Sequence, residues 1–183
     1  EALAVLRETE NRERVSFTLV ALGVVEHLRG NLDAAAACYG ESLDIGRALD
    51  DKNTIATALV NLGEIAQLKG DDTTATQCFR DSLRIYADLG LRNAIAYCLE
   101  ILAGIDAAGG RPGEAATLFG AADRIREEIG SPVESFNLER FQRDLSAAKA
   151  ALDEPTFDRA WRNGRQLDVT AAVDLAMHDF VDQ

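Results

Sequence analysis

The side chains that could do chemistry are few and scattered in this 183-residue chain. Its two histidines, His27 and His178, lie far apart, and neither has a cysteine or carboxylate beside it at the spacing of metal ligands. A catalytic cysteine needs a histidine partner and an electropositive setting. Cys38 and Cys78 instead stand 40 residues apart at one apolar position, which is typical of small core residues. We therefore expect no catalytic residue, no metal site and no cofactor.

Two further segments could hold a ligand. The glycine-rich stretch 108–113 lacks the lysine and the preceding strand of a phosphate-binding loop, which favours a turn between two helices. Arg159, Arg162 and Arg165 recur every three residues and could grip an acidic partner. A solvated face that pairs with Asp158 and neighbouring carboxylates is the simpler interpretation.

The composition excludes several classes of protein. A net charge of -12 and a pI near 4.6 oppose contact with phosphate backbones, so we expect no nucleic-acid binding by this segment. The sequence shows no stretch long and apolar enough to span a membrane and no charged-then-apolar leader pattern, so we expect neither membrane insertion nor secretion. Three cysteines are an odd number and indicate reduced thiols, so we expect a cytoplasmic protein. Because the chain opens at Glu1, we expect it to be a piece of a larger protein.

An internal repeat of 40 residues organises the chain. Apolar and glycine positions recur in three copies, among them Leu19, Leu59 and Leu99; Gly30, Gly70 and Gly110; Ala35, Ala75 and Ala115; and Tyr39, Phe79 and Phe119. Within each copy the apolar steps of three and four residues predict two helices, and the glycine between them predicts a left-handed helix end. We expect helix pairs over about 13–50, 51–90 and 91–130, after the end of a truncated earlier repeat at 1–12.

The repeat register is lost after Gly130. Ser131-Pro132 followed by Glu134 predicts a helix start with a serine cap and a first-turn proline. We expect a helical cap over 131–183, with helices at about 132–152, 155–164 and 168–181, to close the array with one polar face.

The copies resemble the tetratricopeptide repeat. The residues that carry the resemblance in the second copy are Asn61, Leu62, Gly63, Gly70, Asp71, Ala75, Phe79 and Leu83. The copies depart from the family in having 40 residues instead of about 34 and in lacking its closing proline. The resemblance implies an all-α fold, an α-solenoid in which antiparallel helix pairs stack into a right-handed superhelix.

The carboxy-terminal part, about 76–176, is similar to the end of bacterial multidomain signal-transduction ATPases and LuxR-type transcriptional regulators. The motifs that carry this similarity are Phe119-Gly120-Ala121-Ala122, Ile129-Gly130-Ser131-Pro132 and Ala160-Trp161-x-x-Gly164-Arg165. The similarity implies a regulatory role in signal transduction or transcription.

In tetratricopeptide folds the first helix of each pair lines a concave groove. The family's ligand-facing positions correspond here to Phe17, Val20, Val24, His27, Thr57, Val60, Asn61, Glu64, Gln67, Tyr97, Glu100 and Ile101. The basic residues with which chaperone-binding members hold a peptide carboxylate are missing from this set, so apolar segments with a basic or amide-rich flank fit better. The alternative is that these side chains only pack against a neighbouring helix.

Two functional hypotheses follow from the resemblance. The first is a non-enzymatic module that binds a protein or peptide, or another part of its own parent chain. The second is a sensor whose groove binds a small-molecule inducer through Tyr97, Asn61, Glu64 and Gln67. Self-association through an exposed apolar amino-terminal face is a third expectation. We expect no membrane partner.

Overall fold

The computed structural model describes residues 11–178. That span contains nine α-helices and no β-strand. The helices are α1 (Arg12–Leu28), α2 (Leu32–Leu49), α3 (Lys52–Leu68), α4 (Asp72–Leu89), α5 (Arg92–Ala108), α6 (Pro112–Ile129), α7 (Ser135–Ala150), α8 (Glu154–Gln166) and α9 (Val169–Met177). Among the helices described, none has the length and apolar character that a membrane span requires.

Left-handed residues separate the helices of the repeats, as the sequence predicts. The turns inside the pairs contain Gly30, Gly70 and Gly110, with φ of +80°, +76° and +79°. Glycine adopts this region at little steric expense because it has no Cβ. Gly90 and Gly130 follow the second and third pairs in the same conformation, whereas the first pair has Asp50 there, with φ of +52°.

The chain divides into two compact units, of which unit 1 ends at Ile85 and unit 2 begins at Tyr86. In unit 1, α2 packs against both α1 and α3. One core cluster joins Ala35 and Tyr39 of α2 to Ile65 of α3. A small residue also permits α4 to approach α3 closely, since a Cβ on Gly63 of α3 would lie 2.9 Å from Cε2 of the fully buried Phe79 ring of α4.

Unit 2 is built around α6, which packs against α5, α7, α8 and α9. Backbone approaches backbone where α6 meets α8, because a Cβ on Gly120 would lie 3.0 Å from the carbonyl carbon of Trp161. A Cβ on Gly164 would lie 2.8 Å from the carbonyl carbon of Thr117. Glycine on both helices is therefore what permits this crossing.

The helix after Gly130 begins later than the sequence predicts. It starts at Ser135, with Glu134 as its N-cap residue, and residues 131–134 are not helical. Ser131 is engaged elsewhere, because its N–H donates to the carbonyl of Arg126 and its hydroxyl lies 3.3 Å from Asn93 Oδ1. The residue that was expected to cap the new helix therefore completes the end of α6.

The starts of α8 and α9 are fixed by local side-chain caps. Asp153 accepts a hydrogen bond from the Thr156 N–H at the start of α8, and Asp168 accepts one from the Ala171 N–H at the start of α9. The last helix is described as far as Met177, and the expected continuation over 179–181 lies outside the described residues. The same is true of residues 1–10 of the expected truncated repeat.

Candidate functional site

The predicted ligand-facing positions of α1 form an exposed, largely apolar face. Phe17 is 78% exposed and Val24 is 40% exposed, whereas Val20 and His27 are half-buried. Steps of three and four residues place them on one side of the helix. Leu28, which is 82% exposed, extends the same side. An exposed apolar stripe of this kind is typical of an interaction surface.

The predicted positions of α3 are more polar. Thr57, Val60, Asn61, Glu64 and Gln67 are all half-buried. The Asn61 side chain is oriented by a 2.8 Å hydrogen bond from its Nδ2 to the Thr57 carbonyl. Since α1 and α3 contact each other within unit 1, we call these five positions and the four of α1 the α1–α3 face.

A buried tyrosine lies next to this face. The Tyr39 ring is fully buried against Gly23 of α1, and its hydroxyl has no hydrogen-bond partner among residues 11–178. Burial, with a contribution from the negative charge of Glu64, raises the pKa of Tyr39 to about 12. A hydroxyl and a carboxylate from two helices are thus close enough to interact electrostatically.

The predicted positions of α5 are covered by the chain itself. Arg140 of α7 donates from Nη2 to the Tyr97 hydroxyl at 2.9 Å, and its guanidinium carbon lies 5.4 Å from the centroid of that ring. A Cβ on Gly104 would lie 2.8 Å from Oδ2 of Asp144, also on α7. Ile101 is only 3% exposed. The expectation that Glu100 and Ile101 line an open groove is therefore corrected, since both are buried in unit 2.

Glu100 instead belongs to a buried ion pair. Its Oε1 and Oε2 accept hydrogen bonds from Nε and Nη2 of Arg126 at 2.5 and 2.9 Å. Arg126 also donates from Nη1 to Asn93 Oδ1 at 2.8 Å. Burial raises the pKa of Glu100 despite the opposing effect of Arg126. The pair joins α5 to α6.

A cavity of about 510 Å³ lies beside this pair in unit 2. The charged residues of its lining are Glu100, Asp123, Arg126, Glu127 and Arg165, and the apolar ones include Pro132, Val133 and Phe141. Arg165 pairs with both Asp123 and Glu127. The volume is in the range of small-molecule sites, and the lining combines apolar surface with a few charged groups.

The other side chains that the sequence analysis considered for ligand or metal binding make contacts within the chain. Nδ1 of His178 lies 2.7 Å from the Asp174 carbonyl, and the described residues contain no group of three side chains that could hold a metal ion. The glycine-rich stretch is a turn in which Arg111 pairs with Asp106 at 2.6 Å. Arg162 donates to the Asp158 backbone carbonyl rather than to its carboxylate.

The environments of Cys38 and Cys78 disfavour the reactive thiolate. Cys98 is buried, and Cys38 and Cys78 are half-buried. Burial, followed by nearby carboxylates, raises the pKa of Cys38 and of Cys78. A raised pKa keeps a thiol protonated and therefore weakly nucleophilic.

Sequence reasoning missed two residues of the site. The partnership of Arg140 with Tyr97 spans 43 residues and depends on how α7 lies on α5, which no local pattern predicts. The hydroxyl of Tyr39 was visible in the sequence, because the repeat has phenylalanine at the two equivalent positions, Phe79 and Phe119.

Comparison with known proteins agrees with the helix pairs. The sequence model of the tetratricopeptide repeat family matches residues 14–88. Comparisons with curated proteins and with solved structures gave no match. The predicted all-α, tetratricopeptide-like fold class is confirmed over the described residues, and residues 14–88 match the model of that family.

Proposed function

We propose that this chain is a non-catalytic protein-interaction module that binds a partner protein on the α1–α3 face. The observation that carries the proposal is the exposed apolar stripe of α1, with Phe17 78% exposed, beside the half-buried polar positions of α3. Tetratricopeptide repeats generally mediate contacts between proteins. When a partner covers a large exposed aromatic side chain on such a surface, apolar area is removed from water, and this favours binding.

The charge of the face limits the partner. The nine positions of the α1–α3 face include one carboxylate, Glu64, and no lysine or arginine. A partner that ends in a free acidic tail would find no cation there, and the chain's net charge of -12 would repel it. The proposed partner is therefore an apolar segment with a basic or amide-rich flank.

The proposed setting is a bacterial cytoplasmic regulator of signal transduction or transcription. The support is the similarity of the motifs around Gly120 and Gly164 to the ends of such regulators. In this setting the partner is another protein or another domain of the same parent chain.

A peptide library displayed on phage and selected on the full chain tests the first proposal. We expect enriched peptides that combine apolar and basic residues, that raise the melting temperature of the chain, and that lose binding with Phe17→Ser. Phe136→Ser is the matched control, because Phe136 is also 78% exposed but lies on α7 in unit 2. If the enriched peptides bind the Phe17→Ser variant as tightly as the wild type, the interaction lies elsewhere and the proposal is contradicted.

A second proposed function, small-molecule sensing, is supported by the cavity of about 510 Å³ in unit 2. Its site differs from the one that the sequence indicated, because Tyr97 is engaged by Arg140. The carboxylates of the lining outnumber its arginines, which favours a small cationic or neutral ligand over an anion.

A thermal-shift screen of metabolites tests the sensor proposal. We expect the active compounds to lose their effect with Val133→Trp, which fills the cavity from a segment outside the helices. Leu138→Trp, at an exposed position of α7, is the control for a new indole on the surface. A screen without any thermal shift would reject the sensor.

A further inference from the structure

A helix of the same chain lies on the predicted ligand-facing side of α5. Arg140 of α7 donates from Nη2 to the Tyr97 hydroxyl at 2.9 Å, and its guanidinium carbon lies 5.4 Å from the centroid of that ring. Asp144, one turn further along α7, lies against Gly104 of α5. Gly104 corresponds in the repeat to Val24, another predicted ligand-facing position. Unit 2 therefore shows a helix packed where the resemblance to the repeat family expects a ligand.

The side of α7 that faces α5 and α6 has a defined chemistry. Its buried and half-buried residues recur in steps of three and four, which places them on one side of the helix. They are Asn137, Arg140, Phe141, Asp144, Leu145 and Ala148. The Phe141 ring meets the fully buried Phe119 ring of α6 edge-on, with the centroids 5.6 Å apart. The matching ligand is a helix with an arginine directly before an aromatic residue and with aliphatic residues one and two turns later.

The helix α7 buries few of its residues compared with α5. Of the 16 residues of α7, all of them described, only Ala148 is buried, whereas α5 has nine buried residues. The N-cap residue of α7, Glu134, makes no capping hydrogen bond with its side chain within the described part of the chain. Phe136 and Leu138, near the start of α7, are 78% and 40% exposed. Segments with few buried contacts are those that open at low free energy.

The chain on both sides of α7 can change direction without breaking a helix. Residues 131–134 and 151–153 are not helical. The helices before and after these links, α6 and α8, are packed together at Gly120 and Gly164, a crossing that does not include α7. Displacement of α7 therefore leaves the crossing of α6 and α8 in place.

We propose that α5, around Tyr97 and Gly104, is a second interaction site, that its ligand is a helix of a partner protein with the chemistry of α7, and that α7 is its displaceable internal occupant. This inference goes beyond the proposed function, because it concerns other residues than the α1–α3 face. An external helix can bind only when α7 is displaced, so its apparent affinity is reduced in proportion to the fraction of displaced molecules.

A fluorescent peptide with the sequence of residues 133–152 tests this inference by anisotropy on the full chain. Phe141→Ala in the peptide should weaken binding about tenfold or more, because it removes the ring that contacts Phe119. Phe136→Ala is the matched control, since it removes the same ring from the exposed side and should leave binding unchanged. Arg140→Gln should weaken binding about threefold or more. Equal binding of the two phenylalanine variants would overturn the proposal.

Competition by the internal α7 supplies a second test. Phe141→Ala with Leu145→Ala in the full chain should weaken the internal helix and tighten binding of the wild-type peptide about tenfold, because the site is open in more molecules. Circular dichroism checks that this variant keeps its other helices. Phe136→Ala in the full chain should not change the peptide affinity. Equal affinities for the wild-type chain and the double variant would contradict an internal occupant.

A reversible crosslink tests the site with Phe141 and Leu145 intact. A Cβ on Gly104 would lie 3.3 Å from the Asp144 Cβ, close to the roughly 3.8 Å between the Cβ atoms of a disulfide. Oxidation of the variant Gly104→Cys with Asp144→Cys, verified by mass spectrometry, should abolish peptide binding, and reduction should restore it. Asp144→Cys alone should bind the peptide under both conditions. Peptide binding to the crosslinked chain, or to no form of the chain at all, would overturn the proposal.

Phe17→Ser separates this inference from the proposed function. That substitution alters the α1–α3 face and should leave the affinity for the peptide of residues 133–152 unchanged. Loss of peptide binding with Phe17→Ser would reject the second site and locate the peptide on the α1–α3 face instead.

Discussion

Arg126 binds both carboxylate oxygens of Glu100, at 2.5 and 2.9 Å, across the contact between α5 and α6. Their side chains are only 8% and 5% exposed, so neither charge can recover its hydration when the other is removed. This explains why a position that the family uses for ligands is structural in this chain.

Arg126→Met should destabilise the protein by about 3–5 kcal/mol, because it leaves a carboxylate buried without its cation. The double variant Glu100→Met with Arg126→Met should be less destabilised than Arg126→Met alone, since no buried charge remains. Urea unfolding of the single and double variants measures the coupling. Additive effects would show that the two side chains do not act as a pair.

Gly63→Ala should destabilise unit 1 by about 1–3 kcal/mol, because the new methyl group would press on the buried ring of Phe79. The matched control is Gly40→Ala in α2, where a Cβ would have no neighbour within 4 Å. That substitution should stabilise the protein by about 0.5–1 kcal/mol, because alanine favours a helix more than glycine does. The measurement is the melting temperature of each variant relative to the wild type. A change in the same direction for both variants would contradict the packing argument.

Asp50→Gly should raise stability by about 0.5–1 kcal/mol. Asp50 has φ of +52° at the end of α2, and Gly90 and Gly130 occupy the equivalent positions of the next two copies. Glycine relieves the steric strain of the left-handed conformation, although part of the gain is lost to its greater freedom in the unfolded chain. Asp44→Gly, inside α2, should instead destabilise by roughly 0.3–0.5 kcal/mol, because glycine is a somewhat poorer helix former than aspartate. Chemical denaturation compares the two.

Asp51→Ala should lower stability by about 1 kcal/mol at neutral pH, because Asp51 caps α3. Hydrogen bonds from the Thr54 hydroxyl and then from backbone N–H groups hold the pKa of Asp51 below its usual value. A carboxyl with a lowered folded-state pKa stabilises fully above its unfolded pKa, and the effect is lost as the pH falls through the folded value. The difference between wild type and Asp51→Ala should therefore shrink below the unfolded pKa, about 3.9.

Asp51→Asn is the control for this titration. Asparagine also caps helices but does not titrate, so its advantage over alanine should persist in acid. Urea unfolding measured over the pH range gives both comparisons. A wild-type advantage over alanine that is independent of pH would show that the Asp51 carboxylate does not act through its charge.

The periodic part of the fold could be predicted from the sequence. Glycines such as Gly30 and Gly70 mark helix ends because few other residues adopt their conformation, and the spacing of the apolar residues predicts the helix faces. The start of α7 could not be predicted in this way. The pattern Ser131-Pro132 satisfies the local rules for a helix start, but the backbone of Ser131 is already bound to the end of α6.

The site was predicted only in part, for a related reason. The repeat assigns the same role to every first helix, and this assumption fails at α5, where Arg140 of α7 binds the Tyr97 hydroxyl and Ile101 is buried. Such contacts between residues far apart in sequence have no periodic signature. By contrast, Phe17 is exposed on α1, and its place in a ligand-binding groove stays a prediction.

The crossing of α6 and α8 changes how the carboxy-terminal motifs should be interpreted. Gly120 and Gly164 stand 44 positions apart in the sequence, and each leaves room for the other helix's backbone. A substitution at either glycine must therefore be matched by movement of a whole helix, which evolution accommodates far less readily than a side-chain exchange. We expect other chains that have both glycines at this spacing to have the same close crossing of two helices, whatever molecule each of them recognises.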